Sequence, residues 1–593
     1  MTRTGVLALA ALLSLSLAQG WAISPHAQVR SRPASENPGD TSPKSELKTA
    51  PAREPEEQVR ALRLVSTFKT GNPGAHLASP RLAGDRLLLL TPFPHKLLTF
   101  RLGSGGWQPD WHFEPEADRM AEGTACCGLG IPGPALSADR IYLNTVDGRT
   151  IALDAGTGHP VWAVRTAGGG NGETLASSPV VAGDKILVGN SGDDYGARGW
   201  LRALDASTGR TLWTRYSTGP DEDVGIGADF APAYGPKGKA EAGVRSWPPG
   251  AWERGGGSVS GPILHDPGLG LIFHGTGRPA PLNPDQRPGD NRWTSGLFAR
   301  DDRTGAARWF YGLSSHDLHG VSGTGPLFMA DRRWKGQDRK LLIHAGLNGY
   351  VYVLDRLTGE VLSAQPFVPV DASRGVELKT GTLLANDDKR TRLGSRSRDV
   401  CPSLTGATSS EGASLSSDGQ TLFIASSRLC MDIEIRPANY VAGTPYLGAN
   451  IRVKGSREGG RGALVAWRLD KAKPAWTVAE QWPLLGAPLP IPGGSVLYGT
   501  LDGYLKLVDE RDGSPLWQQK LSSGIISAPV LLRGPDGGDY VAVVAGRGGS
   551  VGPNAGLEVD VRDATAGRGF GNLLRGLPPP EDASGALYLF ALP

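Results

Sequence analysis

The chain has 593 residues, a formal net charge of +3 and a charged fraction of 20%. Because positive and negative side chains nearly balance, this composition excludes a general electrostatic attraction to nucleic acid. Glycine is the unusual component: its 84 residues are about twice the average share of roughly 7% and, without a collagen period, indicate many tight turns between short strands.

The first 61 residues are expected to precede the folded part of the chain. Residues 1–22 are typical of a cleaved secretory signal, because Arg3 is followed by an apolar run too short to cross a bilayer and then by small residues. An uncleaved anchor is the alternative interpretation. Residues 23–61 are rich in Pro, Ser and charged side chains, which predicts a disordered spacer. Residues 62–593 are therefore predicted to form the folded part of the chain. The mature protein, after removal of residues 1–22, is predicted to be periplasmic or secreted and without a membrane span.

Two adjacent cysteines, Cys126 and Cys127, stand out in a chain that has only four. Oxidised, they would form a small strained disulfide ring, whereas reduced they would be two small core side chains. An oxidising compartment permits disulfides. The other two cysteines, Cys401 and Cys430, can form a second disulfide, so that no free thiol remains. Export therefore favours the ring over the reduced pair.

A short phrase recurs along the chain and predicts its architecture. It reads Leu-Asp-Ala-Gly-Thr-Gly at 153–158, ends in Trp162, and returns at 204–209 with Trp213. Further copies lie at 301–309, 354–362, 469–476 and 508–517. Each copy follows an apolar alternating run, so the unit is a strand, an Asp-containing turn with Gly, and a second strand. Repeats of this length built from strands indicate an all-β propeller, and the folded length fits about eight blades.

The repeated phrase resembles the tryptophan-docking motif of the quinoprotein dehydrogenases, which use pyrroloquinoline quinone (PQQ). Longer stretches are similar to the methanol dehydrogenase large-subunit branch and occur in the order of that family. They lie at 191–199, 217–221, 275–281, 287–291, 401–403, 430–432 and 499–505. The resemblance implies an eight-bladed propeller for residues 62–593.

The chemistry of that family is also implied by the resemblance. PQQ lies in the central channel between a vicinal disulfide ring and a tryptophan, and arginines and hydroxyls hold its polar groups. A calcium or lanthanide ion, bound by a glutamate and an asparagine, polarises the quinone carbonyl as a Lewis acid. An aspartate acts as general base on the alcohol. An active member would pass its electrons to a cytochrome c.

Some of the cofactor positions are retained in this sequence and others are not. The resemblance implies a ring at Cys126–Cys127, a bridge between Cys401 and Cys430, and cofactor contacts at Ser191 and Asn348. Ser260 falls on the position of the stacking tryptophan, and a hydroxyl cannot replace that ring. Further contacts of the family fall on Pro132, Ala176 and Leu347.

The metal and base positions are altered as well. The metal-binding glutamate falls on Asp194, and the asparagine falls on Arg278. Because a guanidinium has no lone pair to donate to a metal, we expect Arg278 to take the place of the ion and to pair with Asp194. The alternative is that Arg278 points to solvent. Ungapped alignment places Gly320 at the position of the catalytic base, whereas a gapped alignment places Asp317 there.

These substitutions favour a divergent, non-catalytic member of the PQQ family that serves as a binding or scaffold module. The binding of PQQ and of calcium or a lanthanide is then in doubt, and the partner is an unidentified protein or small molecule. The alternative is an active PQQ-dependent alcohol dehydrogenase with a remodelled site, Asp317 as its base and cytochrome c as its acceptor.

Overall fold

A computed structural model describes residues 62–592 except 104–105, 124–130, 169–171, 235–239, 322, 457–458, 535 and 549–575. The predicted signal, the spacer and the Cys126–Cys127 ring lie outside the described residues and remain predictions, as do the domain boundaries. Within the described ranges, the strands form eight four-stranded antiparallel sheets. The predicted eight-bladed, all-β propeller is therefore confirmed.

Strand β1 (Arg63–Lys69) precedes the first four blades. These blades contain β2–β5 (Arg81–Ala83, Arg86–Leu90, Leu97–Gly103, Gly106–Phe113), β6–β9 (Ala135–Leu136, Arg140–Asn144, Arg149–Asp154, Pro160–Arg165), β10–β13 (Val180–Ala182, Lys185–Gly189, Trp200–Asp205, Thr211–Tyr216) and β14–β17 (Ile263–Asp266, Leu271–Gly275, Gly296–Asp301, Ala307–Gly312). In each of these blades, consecutive strands are hydrogen-bonded neighbours.

The second half of the chain supplies the other four blades and two smaller sheets. In chain order its strands are β18–β21 (Leu327–Trp334, Gln337–Ala345, Tyr350–Asp355, Val361–Pro366), β22–β24 (Ser373–Glu377, Thr382–Ala385, Arg396–Val400), β25–β28 (Thr408–Leu415, Thr421–Ser427, Leu429–Ile435, Ala449–Gly455), β29–β30 (Gly462–Arg468, Lys473–Glu480), β31–β34 (Leu489–Ile491, Ser495–Gly499, Tyr504–Asp509, Pro515–Lys520) and β35–β37 (Val530–Arg533, Asp539–Ala545, Ala586–Ala591). Blade 6 has the order β25-β26-β29-β30, while β22-β23 and β24-β27-β28 form the smaller sheets.

The described helices are short and lie between strands. Two are α-helical turns, Asp221–Val224 and Ala242–Arg245, and the others are 3₁₀ turns at Arg119–Gly123, Asp193–Tyr195, Ala251–Arg254, Pro284–Gln286 and Asp387–Lys389. None of the helices among these described residues is long and apolar enough to span a membrane.

The recurring phrase connects neighbouring blades, as the copy at 204–209 illustrates. The Asp205 carboxylate accepts hydrogen bonds from the backbone N–H groups of Ser207 and Thr208, which closes the turn, and Gly209 follows with φ of +74°. The Trp162 ring of the preceding blade packs on this glycine, where an added Cβ would lie 2.7 Å from the ring. Its indole N–H donates to the Ala206 carbonyl at 3.0 Å. The repeat is therefore a turn and a docking surface at once.

The first and last strands close the ring. β1 pairs antiparallel with β37, from Arg63 opposite Ala591 to Lys69 opposite Ala586. The eighth blade thus has the order β1-β37-β36-β35 and combines the two ends of the described chain.

The predicted disulfide between Cys401 and Cys430 is present and joins a small sheet to its flanking loop. Cys430 lies in β27, and Cys401 follows β24 directly, with the two Cα atoms 4.3 Å apart. The bridge therefore joins the segment between blades 5 and 6 to the segment inserted between the second and third strands of blade 6.

All predicted site residues that the structure describes lie on one face of the propeller. In a four-stranded antiparallel blade, the loop after the second strand and the loop after the fourth strand emerge on the same side. Ser191, Asp194, Arg278 and Asn348 follow second strands, whereas Ser260 and Asp317 follow fourth strands. The topology alone therefore directs these loops to a common face.

Candidate functional site

Asp193 anchors the loops of two adjacent blades. Its carboxylate accepts the backbone N–H of Ser258 at 2.7 Å, and the Gly277 N–H donates to the Ser258 carbonyl at 2.7 Å. An added Cβ at Gly277 would lie 2.1 Å from the Asp193 carboxylate, so only glycine fits this close approach. The loop that carries Arg278 is therefore held against the loop that carries Asp194.

Arg278 and Asp194 form a buried ion pair. An Nη atom of Arg278 donates to Oδ1 of Asp194, and the two side chains are 11% and 9% exposed. Burial lowers the pKa of the Arg278 guanidinium, while the carboxylates of Asp193 and Asp317 act in the opposite direction. Burial raises the pKa of Asp193, which the positive charge of Arg278 opposes. The pairing expected from the sequence is present, and Arg278 does not point to solvent.

Asp317 is buried, and both of its carboxylate oxygens accept hydrogen bonds. Oδ1 accepts the backbone N–H groups of His319 at 2.9 Å and Gly320 at 3.1 Å, and Oδ2 accepts the Ser295 hydroxyl at 3.4 Å. The buried Arg287 side chain donates to the Asp317 carbonyl, and burial lowers the pKa of this guanidinium to about 10. Asp317 therefore stabilises its own turn.

A side chain at Gly320 would have to displace its neighbours. Its φ is +77°, and an added Cβ would lie 2.2 Å from Leu404, 3.0 Å from Leu282 and 3.3 Å from the Arg278 side chain. A positive φ also strains any residue that carries a Cβ. At this backbone position, an aspartate would thus meet both steric overlap and conformational strain.

Two of the predicted cofactor positions carry buried polar atoms without a hydrogen-bond partner. These atoms are the Ser191 hydroxyl oxygen and Oδ1 of Asn348. The amide nitrogen of Asn348 donates to the Tyr352 hydroxyl at 2.7 Å, which fixes the orientation of the side chain. Since a buried polar atom is normally hydrogen-bonded, these two atoms are suited to contact a ligand.

A cavity of about 820 Å³ lies beside Asp317 and Asn348. Aromatic side chains form part of its wall, and the other lining groups are mostly polar or backbone. The aromatic residues are Phe230, Tyr234, Trp293, Phe310 and Tyr311. His319 also lines it and donates to the Lys389 carbonyl at 2.7 Å, and burial lowers the pKa of this imidazole.

Ser260 lies apart from that cavity. It lines a second cavity of about 400 Å³, together with Arg81, Ser178 and Glu411 from the innermost strands and adjoining loops of other blades. Burial raises the pKa of Glu411. The structure therefore does not place Ser260 with Asp317 and Asn348 in one cavity.

Comparison with known proteins identifies the family of this chain. Residues 58–380 match the family described as "PQQ: Glucose/ethanol/alcohol dehydrogenase, beta-propeller domain". The sequence is also 36% identical over 542 residues to the lanthanide-dependent methanol dehydrogenase of Methylacidiphilum fumariolicum (strain SolV), covering 90% of this chain and 89% of that protein. The chain belongs to the PQQ-dependent alcohol dehydrogenase family.

Other members of the PQQ-dependent alcohol dehydrogenase family match over a similar extent. Methanol dehydrogenase (cytochrome c) subunit 1 of Methylorubrum extorquens is 35% identical over 551 residues, covering 90% of this chain and 87% of that subunit. The solved structure of a europium-containing methanol dehydrogenase has a TM-score of 0.87 and 35% sequence identity, covering 91% of this chain and 95% of that one.

The residues present do not fit the metal ion that the family implies. Calcium and the lanthanides are bound by several oxygen donors, whereas here a guanidinium is hydrogen-bonded to Asp194. Among the described residues, no group of three or more His, Cys, Asp and Glu side chains is arranged to hold a metal. For PQQ the match is partial, because Ser191 and Asn348 offer polar atoms but Leu347 and Ser260 lack the groups that the resemblance implies.

Sequence reasoning missed two residues that organise this site. The carboxylate of Asp193 joins two loops, although nothing in the sequence distinguishes this residue from an ordinary turn residue. Arg287 belongs to a stretch that carried the resemblance. Its buried contacts with Asp317 and Asn291 could not be predicted from the positions of these residues along the sequence.

Proposed function

We propose that this chain is an exported propeller of the PQQ-dependent alcohol dehydrogenase family that has lost PQQ-dependent alcohol oxidation. Its retained function is the binding of a small organic ligand on the face that carries Asp317 and Asn348. The observation that carries this proposal is the crowding at Gly320, the residue that an ungapped alignment matches to the family's base: an added Cβ there would lie 2.2 Å from Leu404.

The cavity beside Asp317 supports the binding function. Ligand sites are typically concave, lined by apolar and aromatic side chains, and equipped with a few placed polar groups. The cavity of about 820 Å³ has this character, since its lining combines Trp293, Phe310 and Tyr311 with polar groups such as Asn348. Its size suits an organic molecule.

Reconstitution with PQQ tests the proposal. The purified chain is incubated with PQQ and calcium or a lanthanide, and dye-linked oxidation of methanol, ethanol and longer alcohols is measured. A lanthanide-dependent methanol dehydrogenase treated in parallel is the positive control. We expect no turnover above the cofactor-free background. Saturable turnover that requires PQQ would overturn the proposal.

A second candidate is an active PQQ-dependent alcohol dehydrogenase with Asp317 as general base and a cytochrome c as acceptor. It is favoured by the unpartnered buried oxygens of Ser191 and Asn348, which lie at cofactor positions of the family. In that case Asp317→Asn abolishes turnover, and Ser191→Ala weakens PQQ binding in a titration. Persistence of turnover in Asp317→Asn excludes Asp317 as the base.

Export is also part of the proposal. It rests on the sequence of residues 1–22 and on the Cys401–Cys430 disulfide, a bond that persists in oxidising compartments. N-terminal sequencing of the protein recovered from the periplasm or the medium tests it, with cleavage expected close to residue 22. An intact N-terminus on membrane-bound protein contradicts export of a cleaved chain.

A further inference from the structure

The surroundings of Arg278 are rich in negative charge, although the described carboxylates there are not arranged to hold a metal. Three carboxylates, those of Asp193, Asp194 and Asp317, act on its guanidinium, one through a direct ion pair and two through their charge. A buried carboxylate without a compensating charge destabilises the folded state, so these three carboxylates require a positive charge nearby. Arg278 supplies that charge from within the chain.

The backbone around Arg278 is fixed on both sides. Its carbonyl accepts the Gly257 N–H at 3.1 Å, and the following Ala280 N–H donates to the Gly255 carbonyl at 3.1 Å. The side chain runs close to Gly320, where an added Cβ would be only 3.3 Å from Cδ of Arg278. The guanidinium is therefore held at Asp194 by packing as well as by charge.

A metal ion and this guanidinium cannot share the position. An arginine side chain has five N–H donors and no acceptor, and it keeps its proton throughout the physiological range. A calcium or lanthanide ion near Asp194 would lose that carboxylate as a ligand and would be repelled by the adjacent positive charge. Of the remaining carboxylates, Asp193 already accepts the Ser258 N–H through Oδ1.

We propose that the Arg278 guanidinium is a built-in cation at the position of the family's metal ion, so that this chain binds no calcium or lanthanide there. The inference concerns the charge of the site and does not rest on the loss of alcohol oxidation. A reconstituted enzyme that turns over with PQQ but without metal would overturn the proposed function and leave this inference intact.

Metal content tests the inference directly. The wild-type chain and its Arg278→Asn, Arg278→Lys and Asp194→Asn variants are dialysed against lanthanum or calcium, and bound metal is counted by mass spectrometry alongside the thermal midpoint. Asp194→Asn defines the background from other sites. We expect the wild type and Arg278→Lys to stay at that background, because both keep the positive charge.

The Arg278→Asn variant should gain one lanthanum ion per chain and a higher thermal midpoint with metal than without. The double variant Arg278→Asn/Asp194→Asn should return to background. Wild-type binding above the Asp194→Asn background would overturn the inference, and this measurement does not depend on whether any Arg278 variant folds. Folded Arg278→Asn protein that remains at background would overturn it too.

Discussion

Arg278 and Gly320 are neighbours, so two departures from the family pattern occur at one place. The Arg278 side chain passes within contact distance of the space that a side chain at Gly320 would occupy, and Leu404 and Leu282 take up the rest of that space. An arginine at 278 and an aspartate at 320 would compete for the same volume. Side chains at positions 278 and 320 are therefore sterically coupled.

The packing around Gly320 predicts the result of adding a single methyl group. Gly320→Ala should lower the free energy of unfolding more than Gly394→Ala, a matched control whose φ is +74° but whose Cβ would meet nothing within 4 Å. Both variants carry the strain of a positive φ, whereas only Gly320→Ala overpacks, which costs typically about 1–3 kcal/mol. Urea denaturation measures the difference, and equal stabilities would show that Leu404 moves aside without cost.

Side-chain chemistry explains which site features could be read from the sequence. The Arg278–Asp194 pair was predictable from the charges of the two side chains. Arg278 is positive and has no lone pair with which to bind a metal, whereas Asp194 is negative. The turn at Asp317 was not predictable, since its carboxylate is committed to the backbone of His319 and Gly320. These hydrogen bonds depend on the conformation of the loop, which the sequence positions of the residues do not predict.

At the scale of the blades, the docked tryptophans allow the contribution of one hydrogen bond to be isolated. Trp162 and Trp213 occupy equivalent positions in β9 and β13, and each packs on the glycine of the next repeat. The indole N–H of Trp162 donates to Ala206, whereas that of Trp213 is buried without a partner. Trp162→Phe should therefore destabilise more than Trp213→Phe, by about 1 kcal/mol.

Urea denaturation of both phenylalanine variants measures this difference. The denaturant slope should stay unchanged, because neither substitution alters the surface exposed on unfolding by much. Equal losses of stability in the two variants would mean that ring packing alone determines the docking energy.

The Cys401–Cys430 bridge makes a separate contribution at the scale of the inserted sheet. The two cysteines are 29 positions apart, so the bridge closes a segment of moderate length. In the chain-entropy model, a loop of this size contributes about 3–4 kcal/mol. The double variant Cys401→Ala/Cys430→Ala should lose stability of this order in urea, and a loss well below 1 kcal/mol would indicate that β24-β27-β28 is held by packing instead.

The blades and the inserted sheet differ in how well the sequence predicts them. A blade unit depends on local turn chemistry, as in the Asp205 turn that ends at Gly209, and its phrase recurs often enough to reveal the repeat. The sheet β24-β27-β28 pairs strands that are far apart in sequence and carries no repeated phrase. Its existence was therefore not predicted, although its disulfide was.

For the whole molecule, closure of the ring depends on one strand. β1 covers the edge of β37, and Phe68 in β1 also packs edge-on against Phe100 of the first blade, with ring centroids 4.8 Å apart. It thereby connects the last sheet to the first. The sequence contained no signal for this pairing, because it joins the two ends of the folded chain.

Removing β1 should open the propeller. A chain beginning at residue 71 loses the hydrogen bonds to β37, each contributing about 1 kcal/mol, together with the contact between Phe68 and Phe100. The exposed edge of β37 would then be available to pair with another chain. We expect a lower thermal midpoint and concentration-dependent association by light scattering.

A chain beginning at residue 62 is the matched control, because it keeps every described strand and should remain as stable as the full chain. A chain beginning at residue 71 that matches this control in both measurements would show that closure by β1 is dispensable, and that the seven remaining complete blades hold the ring without it.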